Sequence, residues 1–166
     1  MEGNIPKSFE PGKHENSIYK KWEDSGAFTP KVDRKKKPFT ISMPPPNATG
    51  QLHLGHSMML AIQDIMVRYH RMKGDSVLWL PGTDHAAIAT QNRVEKEIAK
   101  QGLTRQDLGR TKFLQEVKKF VKNSQSTIRQ QIRKVGSSCD WTRERYTMDD
   151  MLSKAVTEIF VRMYKD

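Results

Sequence analysis

The chain has 166 residues and a mass of 19.2 kDa, which suits one domain with a hydrophobic core and excludes a large multidomain enzyme. Hydrophobic residues make up 36% and charged residues 29%, a balance that argues against wholesale disorder. Lys and Arg outnumber Asp and Glu by 29 to 19. The net charge of +10 favours phosphate-rich partners such as nucleotides or RNA, although a solvated lysine-rich face would give the same count.

The single cysteine, Cys139, excludes an internal disulfide and a zinc site made of several cysteines. No apolar signal core follows Met1. No stretch approaches the roughly 18 to 20 apolar residues that a membrane span requires. We therefore expect a cytoplasmic protein with no membrane partner and no disulfide partner.

The amino-terminal region predicts a leader, a short helix and a linker. Residues 1–12 are rich in proline, glycine and charge and predict an extended leader. Residues 14–25 predict a helix with its apolar side chains on one side, and Gly26 would end it. Residues 31–37 are better explained as a solvated linker than as a binding patch. We assign residues 1–37 to this region.

The next segment predicts a strand, a loop and a helix. Residues 38–43 are β-prone and are stopped by the proline triplet 44–46, because proline cannot continue a central strand. After Gly50, apolar residues at three- and four-residue steps predict an amphipathic helix that ends near residues 73–74. Its stripe consists of Leu54, Met58, Ile62, Ile65 and Tyr69.

A second strand would complete a β-α-β unit. Residues 76–80 form a near-continuous apolar run, as expected of a strand buried on both faces of a parallel sheet. Crossovers between parallel strands are right-handed almost without exception, so the two strands should end at one common edge, where ligands bind. Residues 38–166 are therefore expected to form an α/β fold with parallel strands and flanking helices.

Three further helices are predicted, at residues 86–100, 110–135 and 149–164. The last two have apolar stripes, formed by Phe113, Val117, Val121, Ile128 and Ile132 and by Leu152, Val156, Ile159 and Met163. Residues 136–148 between them predict a loop with a short strand at 145–148.

The first chemical motif joins the first strand to its helix and reads Met-Pro-Pro-Pro-Asn-Ala-Thr-Gly-Gln-Leu-His-Leu-Gly-His over residues 43–56. A helix amino terminus binds phosphate through its free N–H groups and the positive end of its dipole. His53 and His56 lie one turn apart and would donate hydrogen bonds to phosphoryl oxygens during adenylate formation, without acting as nucleophiles. Gly55 would let an adenine or ribose approach the backbone.

Two simpler interpretations of this motif stay open. The two histidines could cap and pack the helix, or they could form a metal pair that His85 completes. An isolated His-x-x-His favours these interpretations, whereas the preceding strand, the proline triplet and Gly50 favour a phosphate site. No glutamate follows the first histidine, as it does in helical zinc-hydrolase motifs, so we predict no metal site.

The second motif, Leu-Pro-Gly-Thr-Asp-His-Ala-Ala-Ile-Ala-Thr-Gln at residues 80–91, lies at the carboxyl end of the second strand and should face the same crevice. Asp84 can hold the cationic α-amino group of an amino acid by charge-assisted hydrogen bonds. It can also cap the following helix, and the two roles can coexist. Five basic residues farther along could contact an RNA partner or form local ion pairs: Arg129, Arg133, Lys134, Arg143 and Arg145.

Together these motifs resemble the class I aminoacyl-tRNA synthetases, whose His-x-Gly-His motif is matched by residues 53–56. The valine-specific branch is the most similar, through the two motifs above and Asp-Trp-Thr-Arg-Glu-Arg-Tyr-Thr-Met-Asp at residues 140–149. The resemblance implies that residues 38–166 form the first half of a Rossmann-like catalytic domain and end before an editing insertion.

The resemblance also implies roles for eight residues. ATP would be bound by Asn47, Thr49, His53, Gly55 and His56, of which the two histidines are catalytic, and the amino acid by Pro44, Pro45 and Asp84. Ala87 stands where glycine is expected, and Ala48 where valine is common. The implied reaction is activation of valine by ATP, with Mg²⁺ alongside the ATP, and transfer of valine to its tRNA.

Several parts that the resemblance implies are not found in these 166 residues. They are the editing domain, the second half of the fold, an anticodon-binding domain and a Lys-Met-Ser-Lys-Ser type loop that holds the β- and γ-phosphates. We therefore expect weak or no valine-dependent ATP–pyrophosphate exchange from the isolated chain. A non-catalytic ATP- or tRNA-binding module is one alternative. A small nucleotidyltransferase is another, but it does not account for the second and third motifs.

Overall fold

The computed structural model describes residues 8–166. The helices are α1 (Pro11–Asp24), α2 (Leu54–Met72), α3 (Ala87–Ala99), α4 (Arg105–Lys134) and α5 (Asp150–Lys165). The strands are β1 (Pro38–Ser42), β2 (Ser76–Leu80), β3 (Gly82–Thr83) and β4 (Arg145–Tyr146), and a 3-10 turn spans Trp141–Arg143. Helices combined with parallel strands confirm the predicted α/β class.

The predicted β-α-β unit consists of β1, α2 and β2. β1 pairs with β2 in parallel, from Pro38 beside Ser76 to Ser42 beside Leu80. Parallel strands need a crossover connection, and α2 supplies it. Both strands end at one edge, where the Met43 N–H donates to the Leu80 carbonyl over 3.0 Å. The two sequence motifs continue from this edge.

A second parallel pair, β3 with β4, lies beyond the same edge. Gly82 pairs with Arg145, and Thr83 pairs with Tyr146. A Cβ on Gly82 would lie 2.9 Å from the Arg145 carbonyl oxygen, so only glycine allows the two strands to approach this closely. The sequence predicts β4 two residues too long and does not predict β3, because a two-residue strand has no periodic pattern.

The main core lies between α2, the β1–β2 pair and α4. Trp79 of β2 is fully buried, and its indole N–H donates to Gln63 of α2 over 3.0 Å. The other buried members are Met43, Leu60, Val67, Val77, Ile128, Ile132 and Cys139. A smaller core joins α3 to α4 through Val94, Ile98 and Phe113.

α4 buries the stripe that the sequence predicts. Its buried apolar residues are Phe113, Val121, Ile128 and Ile132, and Val117 packs partly buried against the cluster that contains Phe113. Gly109 interrupts the helix with a φ of 68°, so a separate turn precedes the kink and the regular helix begins at Arg110, as predicted. The sequence therefore gives both the start and the buried side of this helix correctly.

The predicted stripe of α2 is not buried. An amphipathic stripe ordinarily faces a core, yet the five predicted residues of α2 are all exposed. The helix packs on the strands through Leu60 and Val67 instead. Within residues 8–166, no element covers the outer apolar face.

α5 and β2 also differ from the expectation. α5 buries no residue, and Val156, Ile159 and Met163 of its predicted stripe are exposed. β2 buries alternate side chains, Val77 and Trp79, so one face is fully buried rather than both. Within the part of the chain that the structure describes, no element buries the other face of β2 or the apolar stripe of α5.

α1 begins at Pro11, inside the leader predicted for residues 1–12, of which residues 1–7 lie outside the described part. Proline suits a first helical turn because its missing N–H would have no intrahelical partner there. The Tyr19 hydroxyl donates to the Ser137 carbonyl over 2.6 Å and accepts the Trp141 indole N–H at 2.8 Å. These bonds hold α1 against the loop that follows α4.

None of the described helices has both the length and the apolar character to cross a membrane.

Candidate active site

The loops that follow β1 and β2 are joined by backbone hydrogen bonds. The Asp84 N–H donates to the Pro46 carbonyl over 2.8 Å, and the Ala48 N–H donates to the Asp84 carbonyl over 2.8 Å. Asn47 and Asp84 thereby form an isolated parallel bridge. The two motifs lie side by side at the strand edge, in the arrangement expected of parallel strands that end together.

His53 and His56 begin α2 as a reciprocal capping box. His53 is the N-cap, and its Nδ1 accepts the Gly55 N–H at 3.1 Å. The Nδ1 of His56 accepts the His53 N–H at 3.2 Å. A nitrogen that accepts carries no proton, so both neutral rings hold their proton on Nε2. No group in residues 8–166 accepts a hydrogen bond from either Nε2, which leaves two donors beside the helix amino terminus.

The environment of His56 favours the neutral state of that ring. The two ring centroids lie 4.0 Å apart. Partial burial, followed by the neighbouring His53, lowers the pKa of His56 below its ordinary value of 6.5. Gly55 permits the arrangement because a Cβ there would lie 3.0 Å from the His53 ring. The capping interpretation is therefore correct for the Nδ1 side of both rings, and the Nε2 side stays available to a ligand.

Asp84 is held by one of its two carboxylate oxygens. The Thr147 hydroxyl donates to Asp84 Oδ1 over 2.9 Å, and the Nδ1 of His85 lies 3.4 Å from the same oxygen. Asp84 does not cap α3, because the N-cap is Ala86 and no side chain bonds there, so that alternative is wrong. Among the described residues no hydrogen bond involves Oδ2. The carboxylate, with 32% of its side chain exposed, keeps one oxygen for a ligand.

A small cavity lies at the strand edge next to Thr147. Its volume is about 220 Å³, and its walls are mainly apolar. Pro44 and Pro45 are both exposed, but only Pro45 lines the cavity. The other lining residues are Ser42, Met43, Leu80, Pro81, Gly82, Thr83, Arg145, Thr147 and Leu152. The cavity has room for a small apolar group.

Asn47 and Thr49 lie on the loop between β1 and α2. Asn47 is exposed. Thr49 lines a second, more polar concavity together with Gly50 and with Arg93 and Lys96 of α3. These two basic residues lie outside the residues predicted from the sequence motifs, and they bring positive charge to the loop between β1 and α2.

Thr147 is the main contact that the sequence analysis does not identify. Its N–H donates to the Thr83 carbonyl over 3.1 Å, which continues the register of β3 with β4 by one residue and places Thr147 beside Asp84. The one clue in the sequence is that Asp84 and Thr147 each directly follow a short extended segment. Register between strands of two residues cannot be read from sequence, so the contact could not be predicted.

Four of the five residues of the basic cluster form local ion pairs, and Lys134 forms none with residues 8–166. Arg129 pairs with Glu144 at 2.8 Å and Arg133 with Glu23 at 2.9 Å. Arg143 pairs with Asp140, and Arg145 lies 3.7 Å from Asp149.

The geometry does not support the alternative in which His53, His56 and His85 form a metal site. His85 bonds to Thr147 through Nδ1, at 2.5 Å. The described part of the chain contains no group of three or more His, Cys, Asp or Glu side chains that could hold a metal ion.

Comparison with known proteins identifies the family to which this chain belongs. The chain is 54% identical over 162 residues to the valine–tRNA ligase of Clostridium acetobutylicum, a match that covers 98% of this chain and 18% of that protein. It is 53% identical over 150 residues to the chloroplastic/mitochondrial valine–tRNA ligase 2 of Arabidopsis thaliana, with 90% of this chain and 15% of that protein covered. The chain thus spans less than a fifth of the length of these curated relatives.

A solved structure shares the fold. The LeuRS of Agrobacterium radiobacter, solved in a ternary complex with tRNA and LeuAMS, superimposes with a TM-score of 0.77 at 20% identity. The match covers 95% of this chain and 18% of that one. The family model described as tRNA synthetases class I (I, L, M and V) matches residues 17–166. The chain therefore belongs to the class I tRNA synthetases, in the group of the isoleucine, leucine, methionine and valine enzymes.

Proposed function

We propose that this chain forms the ATP- and valine-binding part of a valine–tRNA ligase. In the proposed reaction a carboxylate oxygen of valine bonds to the α-phosphorus of ATP, and pyrophosphate leaves to give valyl-adenylate. The valyl group is then transferred to its tRNA. The observation that carries the proposal is the pair of hydrogen bonds between Asp84 and the Pro46–Ala48 loop, which brings the two motifs together.

The histidine pair is proposed to stabilise charge on the ATP phosphates. The two Nε2–H groups and the amino terminus of α2 are donors fixed in place by the capping box. Donors that are oriented before the reaction stabilise charge on phosphoryl oxygens without reorganising. Neutral imidazoles suit this role, since the Nδ1 atoms must stay unprotonated to accept their backbone N–H groups. Asn47, Thr49 and Gly55 are proposed to complete the nucleotide site.

Asp84 is proposed to bind the α-ammonium of valine. An ionised carboxylate and an ammonium form a charge-assisted hydrogen bond, which also orients the substrate carboxylate for attack. The apolar cavity walled by Pro45 is proposed to take the isopropyl side chain. Pro44 does not line this cavity, and its proposed part in the amino-acid site rests on its position in the proline triplet next to Pro45.

The remaining partners and the domain organisation follow from the same proposal. Mg²⁺ is proposed to accompany ATP as part of the substrate, where it would neutralise phosphate charge. tRNA is the acceptor, and the net charge of +10 suits an RNA partner. Residues 38–166 are proposed as the first half of the catalytic domain and residues 1–37 as an amino-terminal region, in a protein of the cytoplasm.

Calorimetric titration with ATP tests the nucleotide site. His56→Ala removes one Nε2–H donor and should weaken ATP binding about tenfold, because a hydrogen bond to a charged group contributes roughly 1.5 to 3 kcal/mol. His14→Ala, at an exposed histidine of α1, is the matched control and should bind as the wild type does. Equal ATP affinity in the wild type and His56→Ala would contradict the phosphate role. Valine-dependent ATP–pyrophosphate exchange, with isoleucine and threonine in parallel, tests the reaction and the amino acid.

A further inference from the structure

We propose that Thr147 is a positioning residue for Asp84, and that it fixes the carboxylate for the α-amino group of a small apolar amino acid. The inference rests on the proposed function, because it requires Asp84 to bind the substrate ammonium. It adds a residue for which the two sequence motifs assign no role.

The hydrogen bonds of the Thr147 hydroxyl account for all its donor and acceptor capacity. A hydroxyl has one proton and two lone pairs. The proton is donated to Asp84 Oδ1 over 2.9 Å, since an ionised carboxylate can only accept. One lone pair accepts the His85 backbone N–H at 2.9 Å. The other accepts from the His85 ring, whose Nδ1 lies 2.5 Å away.

The same hydrogen bonds place a proton on the Nδ1 of His85. With the Thr147 proton donated to Asp84, the contact with Nδ1 is a hydrogen bond only if Nδ1 carries a proton. The Nδ1 of His85 therefore carries a proton, whereas the Nδ1 atoms of His53 and His56 accept hydrogen bonds. The Nδ1 atom of His85 lies 3.4 Å from Asp84 Oδ1, so its proton contributes positive potential at that oxygen.

The backbone on both sides of the contact is held in place. The Thr147 N–H donates to the Thr83 carbonyl, and the Asp84 N–H donates to the Pro46 carbonyl. The Thr90 hydroxyl donates to the His85 carbonyl over 2.6 Å. The hydroxyl and the carboxylate therefore meet between fixed segments, and a carboxylate held by Oδ1 presents Oδ2 in one orientation.

Thr147 also connects the carboxylate to the apolar cavity. It lines the cavity of about 220 Å³ and, through its hydroxyl, contacts the group proposed to bind the ammonium. One residue thus sets the distance between the amine site and the side-chain site. An α-amino acid with a small apolar side chain needs both sites at a fixed spacing, because its amine and side chain share one carbon atom.

Chemical-shift titration by NMR tests the role with two ligands that differ in the amine. L-valine has the ammonium, and isovalerate has the same carbon skeleton and carboxylate without it. Thr147→Val removes the hydroxyl at nearly constant shape and should weaken valine binding about tenfold, while the isovalerate Kd stays unchanged. Thr147→Ser keeps the hydroxyl and should restore most of the valine affinity. Thr157→Val, at an exposed threonine of α5, is the control and should match the wild type.

The possible outcomes distinguish the positioning role of Thr147 from the proposed function on which it rests. Equal valine affinity in Thr147→Val and the wild type would overturn the positioning role, and so would equal losses for valine and isovalerate. Both results leave the proposed function intact. A wild-type chain that does not prefer valine to isovalerate would overturn the amine role of Asp84, and with it the proposed function. If Thr147→Val does not fold, Thr147→Ala removes the hydroxyl without branching, and the same two outcomes decide.

Discussion

The helices α2 and α4 have apolar stripes of the same period, but only α4 buries its stripe. Ile128 of α4 is 0% exposed, whereas Ile62 of α2 is 56% exposed. α2 contacts the strands through Leu60 and Val67, which do not belong to its predicted stripe. α2 therefore has two apolar faces, and residues 8–166 cover one of them.

The difference between the two helices separates what periodicity indicates from what burial requires. Periodicity shows that a helix has an apolar face, and this holds for both helices. Burial requires an element on the other side of that face. The β1–β2 pair and the loop after α4 supply one for α4. The pattern of α2 thus predicts a second packing surface whose cover lies outside the described contacts.

The largest expected effect comes from equal truncations in the two helices. Ile128→Ala should lower the free energy of unfolding by about 3 kcal/mol, because it removes buried methyl groups and leaves a cavity. Ile62→Ala should change it by less than about 0.5 kcal/mol, since the side chain is exposed and alanine has the higher helix propensity. Urea unfolding of both variants measures the difference. Equal losses would contradict the difference in burial between the two helices, because they would mean that Ile62 is buried in solution.

The next largest effect on stability concerns Asp140, a buried polar residue in the loop that follows α4. Asp140 follows α4 with its side chain fully buried, accepts from the Thr142 N–H and hydroxyl, and pairs with Arg143. Asp140→Ala should lower the free energy of unfolding by about 2 kcal/mol, because the Thr142 and Arg143 donors lose the buried carboxylate that accepts their hydrogen bonds. Asp140→Asn keeps one acceptor oxygen and should lose less. Thermal and urea unfolding both report it, and an Asp140→Ala variant as stable as the wild type would show that water replaces the carboxylate.

The sequence predicts the elements well where they are long and periodic. β1, α2, β2 and α3 agree with the prediction to within about two residues, as is usual for boundaries. The shared strand edge, which brings Asp84 beside the Pro46–Ala48 loop, follows from parallel pairing alone. The binding roles of His53, His56 and Asp84 stay predictions.

Other features depend on contacts that one-dimensional patterns do not contain. The pairing of Thr147 with Asp84 needs the register of β3 with β4, and two residues are too few to set a register. The use of both histidine Nδ1 atoms for capping needs ring orientations, which spacing does not specify. The buried side of α2 needs knowledge of its neighbours, since the helix has more than one apolar face.

A smaller effect concerns the amino terminus of α2 and its dependence on pH. The folded pKa of His56 lies below its ordinary value of 6.5, so folding favours the unprotonated ring. The stabilisation is present above pH 6.5 and is lost as the pH falls through the lower, folded value. Protonation also removes the Nδ1 lone pair that accepts the His53 N–H. We therefore expect the free energy of unfolding to decrease between neutral pH and about pH 5.

The variant His56→Ala isolates this contribution. It should cost about 1 kcal/mol at pH 7.5, in the range of a lost helix cap, and less at pH 5. The two unfolding curves should therefore converge on acidification. Aspartate and glutamate side chains titrate mostly below this window, so they contribute little to the convergence. A constant difference between the two proteins from pH 7.5 to 5 would contradict the proposed capping by an unprotonated ring.

The smallest expected effect tests whether the outer face of α2 is free in solution. Ile65 is 68% exposed, and Ile65→Gln replaces an apolar side chain by a polar one of similar length. At micromolar concentration the variant should unfold within about 0.5 kcal/mol of the wild type, because an exposed side chain loses little. If a second copy of the chain covers this face, stability rises with protein concentration, and Ile65→Gln removes that dependence. Urea unfolding at two concentrations a hundredfold apart distinguishes the two states. Concentration-independent curves for both proteins would establish that the stripe of α2, unlike that of α4, faces water.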